Sequence, residues 1–179
     1  MKKFLLIIAL ITILTAGCSG KNTSPTNEEN TEQQNSYEKI NSDVMIAPNF
    51  ELETLDGTSI KLSQMRDKNI ILNFWATWCG YCIIEMPDLQ KLQKAHKGDL
   101  LVLTVNVGES RDVVQEFMDE NNLDLTVALD TDMNVATDLY GLRSFPTTIA
   151  INKKGEAVKG YLGMLSYEEM EQLYEYFEE

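Results

Sequence analysis

Phe74-Trp75-Ala76-Thr77-Trp78-Cys79-Gly80-Tyr81-Cys82 is the stretch on which the reading of this 179-residue chain turns. It closes a mostly apolar run, Ile70 to Trp75, of the kind that forms a strand covered on both faces. Ile83 to His96 then reads as a helix, with Ile84, Leu89 and Leu92 among its apolar positions and Pro87 inside it as a kink. The two cysteines therefore fall where a buried strand gives way to a helix. Unpaired N–H groups and the positive end of the dipole favour thiolate there, which makes Cys79 the expected nucleophile. Cys82 lies one turn further in and is the expected resolving cysteine. A purely structural bridge is the poorer explanation, because so small a loop gains little chain entropy. A metal site would need about four ligands, whereas this region offers two thiols and the single histidine, His96, which reads as a surface residue beside Lys94 and Lys97. No metal and no cofactor are expected.

Outward from this centre, strand and helix alternate. Asn49 to Leu55 and Ser59 to Leu62 alternate apolar and polar residues across an Asp56-Gly57 turn, which reads as a β-hairpin. Downstream, Leu100 to Val107 is a second buried strand. Ser110 is an N-cap candidate for a helix carrying Val113, Val114, Phe117 and Met118. Leu125 to Leu129 reads as a strand, and Asp132 to Tyr140 as a short helix stopped by Gly141. Strands at Thr148 to Ile151 and Ala157 to Tyr161 flank an Asn152-Lys153-Lys154-Gly155 turn. Ser166-Tyr167-Glu168-Glu169 has capping-box spacing for a last helix with Met170, Leu173, Tyr174 and Phe177 on one face. The alternation calls for a mixed, largely parallel sheet with helices on both faces.

The Trp-Cys-x-x-Cys element, with Pro87 five residues on and Phe145-Pro146-Thr147 downstream, resembles the thioredoxin superfamily. Ala47-Pro48-Asn49-Phe50 and Glu85-Met86-Pro87 are similar to its TlpA/ResA-type extracytoplasmic branch. The resemblance covers residues 45–179. It implies an α/β, thioredoxin-like fold: a central mixed sheet flanked by helices, an N-terminal β-hairpin, and a strand–helix insertion before a cis-Pro loop. It implies Cys79 and Cys82 as the catalytic pair, with Trp78, Gly80, Tyr81, Glu85 and Pro146 supporting them. Phe145, Pro146 and Thr147 are implied to meet an extended substrate strand by β-augmentation. Thioredoxin carries a buried Asp six residues before its first Cys. Here that position is Asn73, which cannot accept a proton, so Glu85 is the candidate to serve Cys82, with a solvated helix glutamate as the competing reading.

The resemblance further implies reduction of exported protein disulfides, with apocytochrome c or a methionine sulfoxide reductase among the candidate substrates. Electrons would come from a membrane thiol transporter of CcdA/DsbD type. A disulfide-forming oxidase and a non-catalytic binding lipoprotein are the alternatives. A peroxiredoxin-like peroxidase fits poorly, because Thr77 stands only two residues before Cys79.

Residues 1–17 read as a lipoprotein signal peptide. Lys2 and Lys3 precede an apolar run from Phe4 to Leu14, and Thr15-Ala16-Gly17 leads to Cys18, the expected lipidation site. Thr15 stands where such boxes usually carry Leu, which here is Leu14. Residues 18–44 hold almost nothing apolar and read as a disordered tether. The expected place is the outer face of the cell membrane in a Gram-positive-type envelope. The formal net charge of −13 argues against nucleic acid as a partner.

Overall fold

The computed structural model describes residues 45–177. The expected signal peptide, Cys18 and the tether lie outside them. Seven strands form one sheet in the order β2-β1-β5-β4-β3-β6-β7. β1 (Glu51–Thr54) and β2 (Ser59–Lys61) make the N-terminal hairpin. β3 (Asn69–Trp75) leads into α1 (Gly80–Ala95), and β4 (Leu100–Val107) into α2 (Arg111–Glu120). β5 (Thr126–Asp130) is followed by a π-helix (Asn134–Leu139). β6 (Thr147–Ile151), β7 (Ala157–Leu162) and α3 (Tyr167–Glu175) close the domain. The segment before the proline loop thus supplies α2, β5 and the π-helix.

Every residue of β3 is buried, because this strand runs between β4 and β6 with both faces covered. One face packs Ile71, Trp75 and Val102 against α1, α2 and α3. The other packs Ile70, Leu72, Phe74, Leu103 and Val105 against Ala47, Phe50, Leu62 and the π-helical Val135 and Ala136. β3 pairs with β4, and β4 with β5, in parallel; the other four pairings are antiparallel. The expectation of a largely parallel sheet is corrected on this point. Only α1 and α2 act as crossover helices between neighbouring parallel strands, while hairpins build both edges.

Four further expectations change. The buried face of α1 is Cys82, Glu85, Met86, Leu89 and Leu92, so Glu85 faces inward while Ile84 is 61% exposed. Ser110 stands at the N-cap of α2 but its hydroxyl caps nothing, and Val113 is exposed. The helix after β5 is a π-helix, with the Tyr140 N–H on Val135 O at 3.0 Å, and the buried Asp130 carboxylate caps its start by accepting the N–H groups of Val135 (3.1 Å) and Ala136 (2.8 Å). Gly141, with φ +66°, ends the segment as expected. Ser166 and Glu169 form the capping box of α3. His96 is no bare surface residue: its ring stacks on Tyr174 at 3.7 Å and Nε2 lies 2.7 Å from Glu171, tying α1 to α3.

Candidate active site

The parallel strands β3 and β4 run in register, Trp75 beside Asn106, and β4 sets Val107 beside Asp130 of β5. Their C-terminal ends therefore share one edge, where α/β sheets commonly place ligands. Cys79 is the N-cap of α1, with its N–H on Ala76 O at 3.1 Å. It forms a disulfide with Cys82, with S–S 2.18 Å and Cα–Cα 5.2 Å. The Cys82 N–H donates to Cys79 Sγ at 3.3 Å, so the outer sulfur sits against the helix N-terminus. Cys79 keeps 8% of its surface exposed and Cys82 none. The outer cysteine is thus the one a substrate can reach.

Around the disulfide, Trp78 is 70% exposed and meets Phe145 edge-on, ring centroids 6.2 Å apart. Tyr81 is exposed one turn on. Gly80 opens the helix, and a Cβ there would meet nothing within 4 Å. The Phe145–Pro146 peptide is cis, as the resemblance implied. Pro146 O accepts the Gly163 N–H at 2.8 Å. Thr147 is paired on both sides, to Phe74 and Leu162, and its hydroxyl donates to Ser144 O at 2.8 Å. Its backbone is therefore committed to the sheet. The Phe145 N–H and C=O take no hydrogen bond among the described residues.

Beneath the disulfide, Glu85 is 1% exposed, so the solvated reading of this residue is corrected. Cys82 and Glu85 are three residues apart and share the inner face of α1. Glu85 Oε1 accepts the Asn73 amide at 2.8 Å and Oε2 accepts the Leu165 N–H at 3.0 Å. Burial pushes its carboxyl group up to about 7, against the downward pull of those two bonds. Asn73 also donates to Thr148 Oγ1 at 2.9 Å, while its own buried Oδ1 has no partner among the described residues. The site thus holds a disulfide at a helix N-terminus, an exposed aromatic rim and a buried acid that titrates near neutrality. Among the described residues, no three His, Cys, Asp or Glu side chains are grouped to hold a metal ion.

Sequence reasoning missed Glu109. Its Oε2 accepts the Thr77 N–H at 2.7 Å and the Asn106 amide at 2.7 Å, and its Oε1 accepts the Thr77 hydroxyl. Its position two residues past the end of a parallel strand was the available signal.

Residues 45–159 match the AhpC/TSA family. The chain is 40% identical to the thiol–disulfide oxidoreductase ResA of Halalkalibacterium halodurans over 130 residues, 72% of this chain and 73% of that protein. It is 37% identical to the thioredoxin-like protein YneN of Bacillus subtilis, covering 70% and 75% of the two chains. Among solved structures, StoA of B. subtilis superposes with TM-score 0.63 at 27% identity, over 73% of this chain and 99% of that one. The exposed lipoprotein thioredoxin Etrx1 of Streptococcus pneumoniae superposes with TM-score 0.61 at 32% identity, over 71% and 98%. A Trp-flanked disulfide at the strand-to-helix junction and this kinship agree: the chain belongs to the AhpC/TSA family of thioredoxin-like proteins, as a relative of the ResA thiol–disulfide oxidoreductases.

Proposed function

We propose that this thiol–disulfide oxidoreductase works in the reducing direction, on disulfides of exported proteins, from a lipid anchor at Cys18 on the outer face of the cell membrane. The observation that carries the roles is the pairing of a reachable Cys79 with a buried Cys82 and, one turn on, a buried Glu85; the reducing direction rests on the resemblance to the ResA branch. In the dithiol form Cys79 thiolate attacks one sulfur of a substrate disulfide. The substrate S–S bond breaks, its leaving sulfur takes a proton, and a mixed disulfide forms on Cys79. Cys82 then gives its proton to the Glu85 carboxylate and attacks Cys79 Sγ. The second substrate thiol leaves, and the Cys79–Cys82 disulfide remains. The substrate has gained two electrons and two protons. A carboxyl group held near 7 can take that proton and release it at ambient pH.

Trp78 and Phe145 form the docking rim, and the Phe145 backbone offers hydrogen bonds to an extended substrate strand. An exported Cys pair, as in apocytochrome c, or an exported methionine sulfoxide reductase is the substrate this reading assigns. Two electrons return from a membrane dithiol donor of CcdA/DsbD type. The resemblance of residues 1–18 to a lipoprotein signal, and the relative described as an exposed lipoprotein thioredoxin, support the anchor. No helix among the described residues is long and apolar enough to cross a membrane.

Expressed in its host, Cys82→Ser accumulates mixed disulfides with exported proteins, and Cys79→Ala accumulates none. Adducts that persist in Cys79→Ala, or their absence from Cys82→Ser, would refute the assigned roles. Incorporation of labelled palmitate that is lost in Cys18→Ala tests the anchor.

A further inference from the structure

β3 and β4 end side by side, and each runs on into a loop that reaches towards the other. At the end of β4, Gly108 takes φ +79°, its N–H on Asp130 O at 2.9 Å, and a Cβ there would meet the Met133 sulfur at 3.2 Å. This turn delivers Glu109 to Thr77, two residues before Cys79. The carboxylate then takes both donors of Thr77, backbone and hydroxyl. Asn106, wholly buried, gives its amide to the same carboxylate, while its Oδ1 has no partner among the described residues. A buried amide is thus spent on orienting Glu109.

Four other charged groups make hydrogen bonds of their own. Asp130 caps the π-helix, and Glu85 is held by Asn73 and Leu165. Arg111 binds Glu53 at 2.6 Å and the carbonyls of Thr54 and Leu55 in the hairpin, and Arg143 donates to Leu142 O at 3.3 Å. Glu109 is the charge hydrogen-bonded to the loop that bears the nucleophile.

We propose that Glu109 is a positioning residue with two effects on the couple: its hydrogen bonds fix the Thr77–Trp78–Cys79 loop, and its negative charge disfavours thiolate at Cys79. A less stable thiolate means a less stable dithiol, so the charge biases the couple toward the disulfide and makes the reduced protein the stronger reductant. The inference builds on the reductase reading, whose own test is the absolute potential of the wild-type protein. This one is tested by differences between variants.

Glu109→Gln keeps an acceptor for the Thr77 N–H and removes the charge. Thr77→Val keeps the charge and removes one bond. The full-length protein in detergent is equilibrated with glutathione buffers, and iodoacetamide alkylation of reduced Cys79 is timed at fixed pH. Glu109→Gln moves the equilibrium about threefold or more toward the dithiol, about 14 mV, and speeds alkylation. Thr77→Val leaves the equilibrium within about twofold and lowers kcat/KM for insulin reduction by about tenfold through misplacement. An equilibrium for Glu109→Gln equal to wild type, or displaced toward the disulfide, overturns the electrostatic role. Unchanged kcat/KM in Thr77→Val overturns the positioning role. Both substitutions are near-isosteric, so a folded protein is available for either arm.

Discussion

Replacing Glu85 with Gln should flatten the pH dependence of folding stability in a defined window. In the folded protein burial lifts this carboxyl group from 4.5 to about 7. The folded state therefore holds a proton that the unfolded chain has released between those values. The stabilisation tied to the neutral form is fully present below about 4.5 and is lost as pH rises through about 7. A displacement of about 2.5 units at 1.36 kcal/mol each makes this about 3 kcal/mol. The amide introduced by Glu85→Gln carries no such proton. A flip of Asn73 would let that amide donate to the now unpartnered Asn73 Oδ1, while its carbonyl accepts from Leu165. The assay is denaturant unfolding of oxidised wild type and Glu85→Gln from pH 4 to 8. Asp56, Asp99, Glu169 and Glu171 all have lowered values and lose stability in acid, but both proteins share them. The difference curve isolates Glu85: relative to wild type, Glu85→Gln gains about 3 kcal/mol on going from pH 4 to 8. A difference that stays flat within about 1 kcal/mol would refute the argument that burial holds this acid near neutrality.

Asn73→Asp sets a second buried carboxyl against Glu85, and two such groups cannot both ionise cheaply. The variant should be destabilised more at pH 8 than at pH 5, as read by thermal melts at the two values. Asp130→Ala leaves the Val135 and Ala136 N–H groups without their acceptor and should cost about 2–4 kcal/mol in urea unfolding. Gly80→Ala enters open space at the first turn of α1 and should leave stability within about 1 kcal/mol. Any change it makes to the redox equilibrium then comes from the site and not from misfolding.

Elements with local chemical causes were readable from the chain. The apolar run Leu100 to Val107 is β4 to the residue, and the Ser166–Glu169 box caps α3. The Trp78-Cys79-Gly80-Tyr81-Cys82 junction sits where a strand yields to a helix, with Cys79 as the cap. Side-chain direction on α1 was harder, because periodicity assigns apolar residues to the inside. Glu85 goes in and Ile84 goes out because two backbone and amide donors wait for the carboxylate. The cap on the π-helix depends on how far the Asp130 carboxylate reaches, and Glu109 on the register of β3 against β4. Both contacts are tertiary, and only the place of Glu109 just past a strand end was visible in the chain. The hairpins at each edge also account for the shortage of parallel pairings in a chain that alternates strand and helix.

The central claim is that the Cys79–Cys82 couple gives electrons to its substrates. Its most direct test is the reduction potential of the purified protein, equilibrated against thiol buffers of known poise. The account predicts a value near or below the roughly −270 mV of thioredoxin. A value near the roughly −120 mV of DsbA would make the protein an oxidant that installs disulfides, and would contradict it.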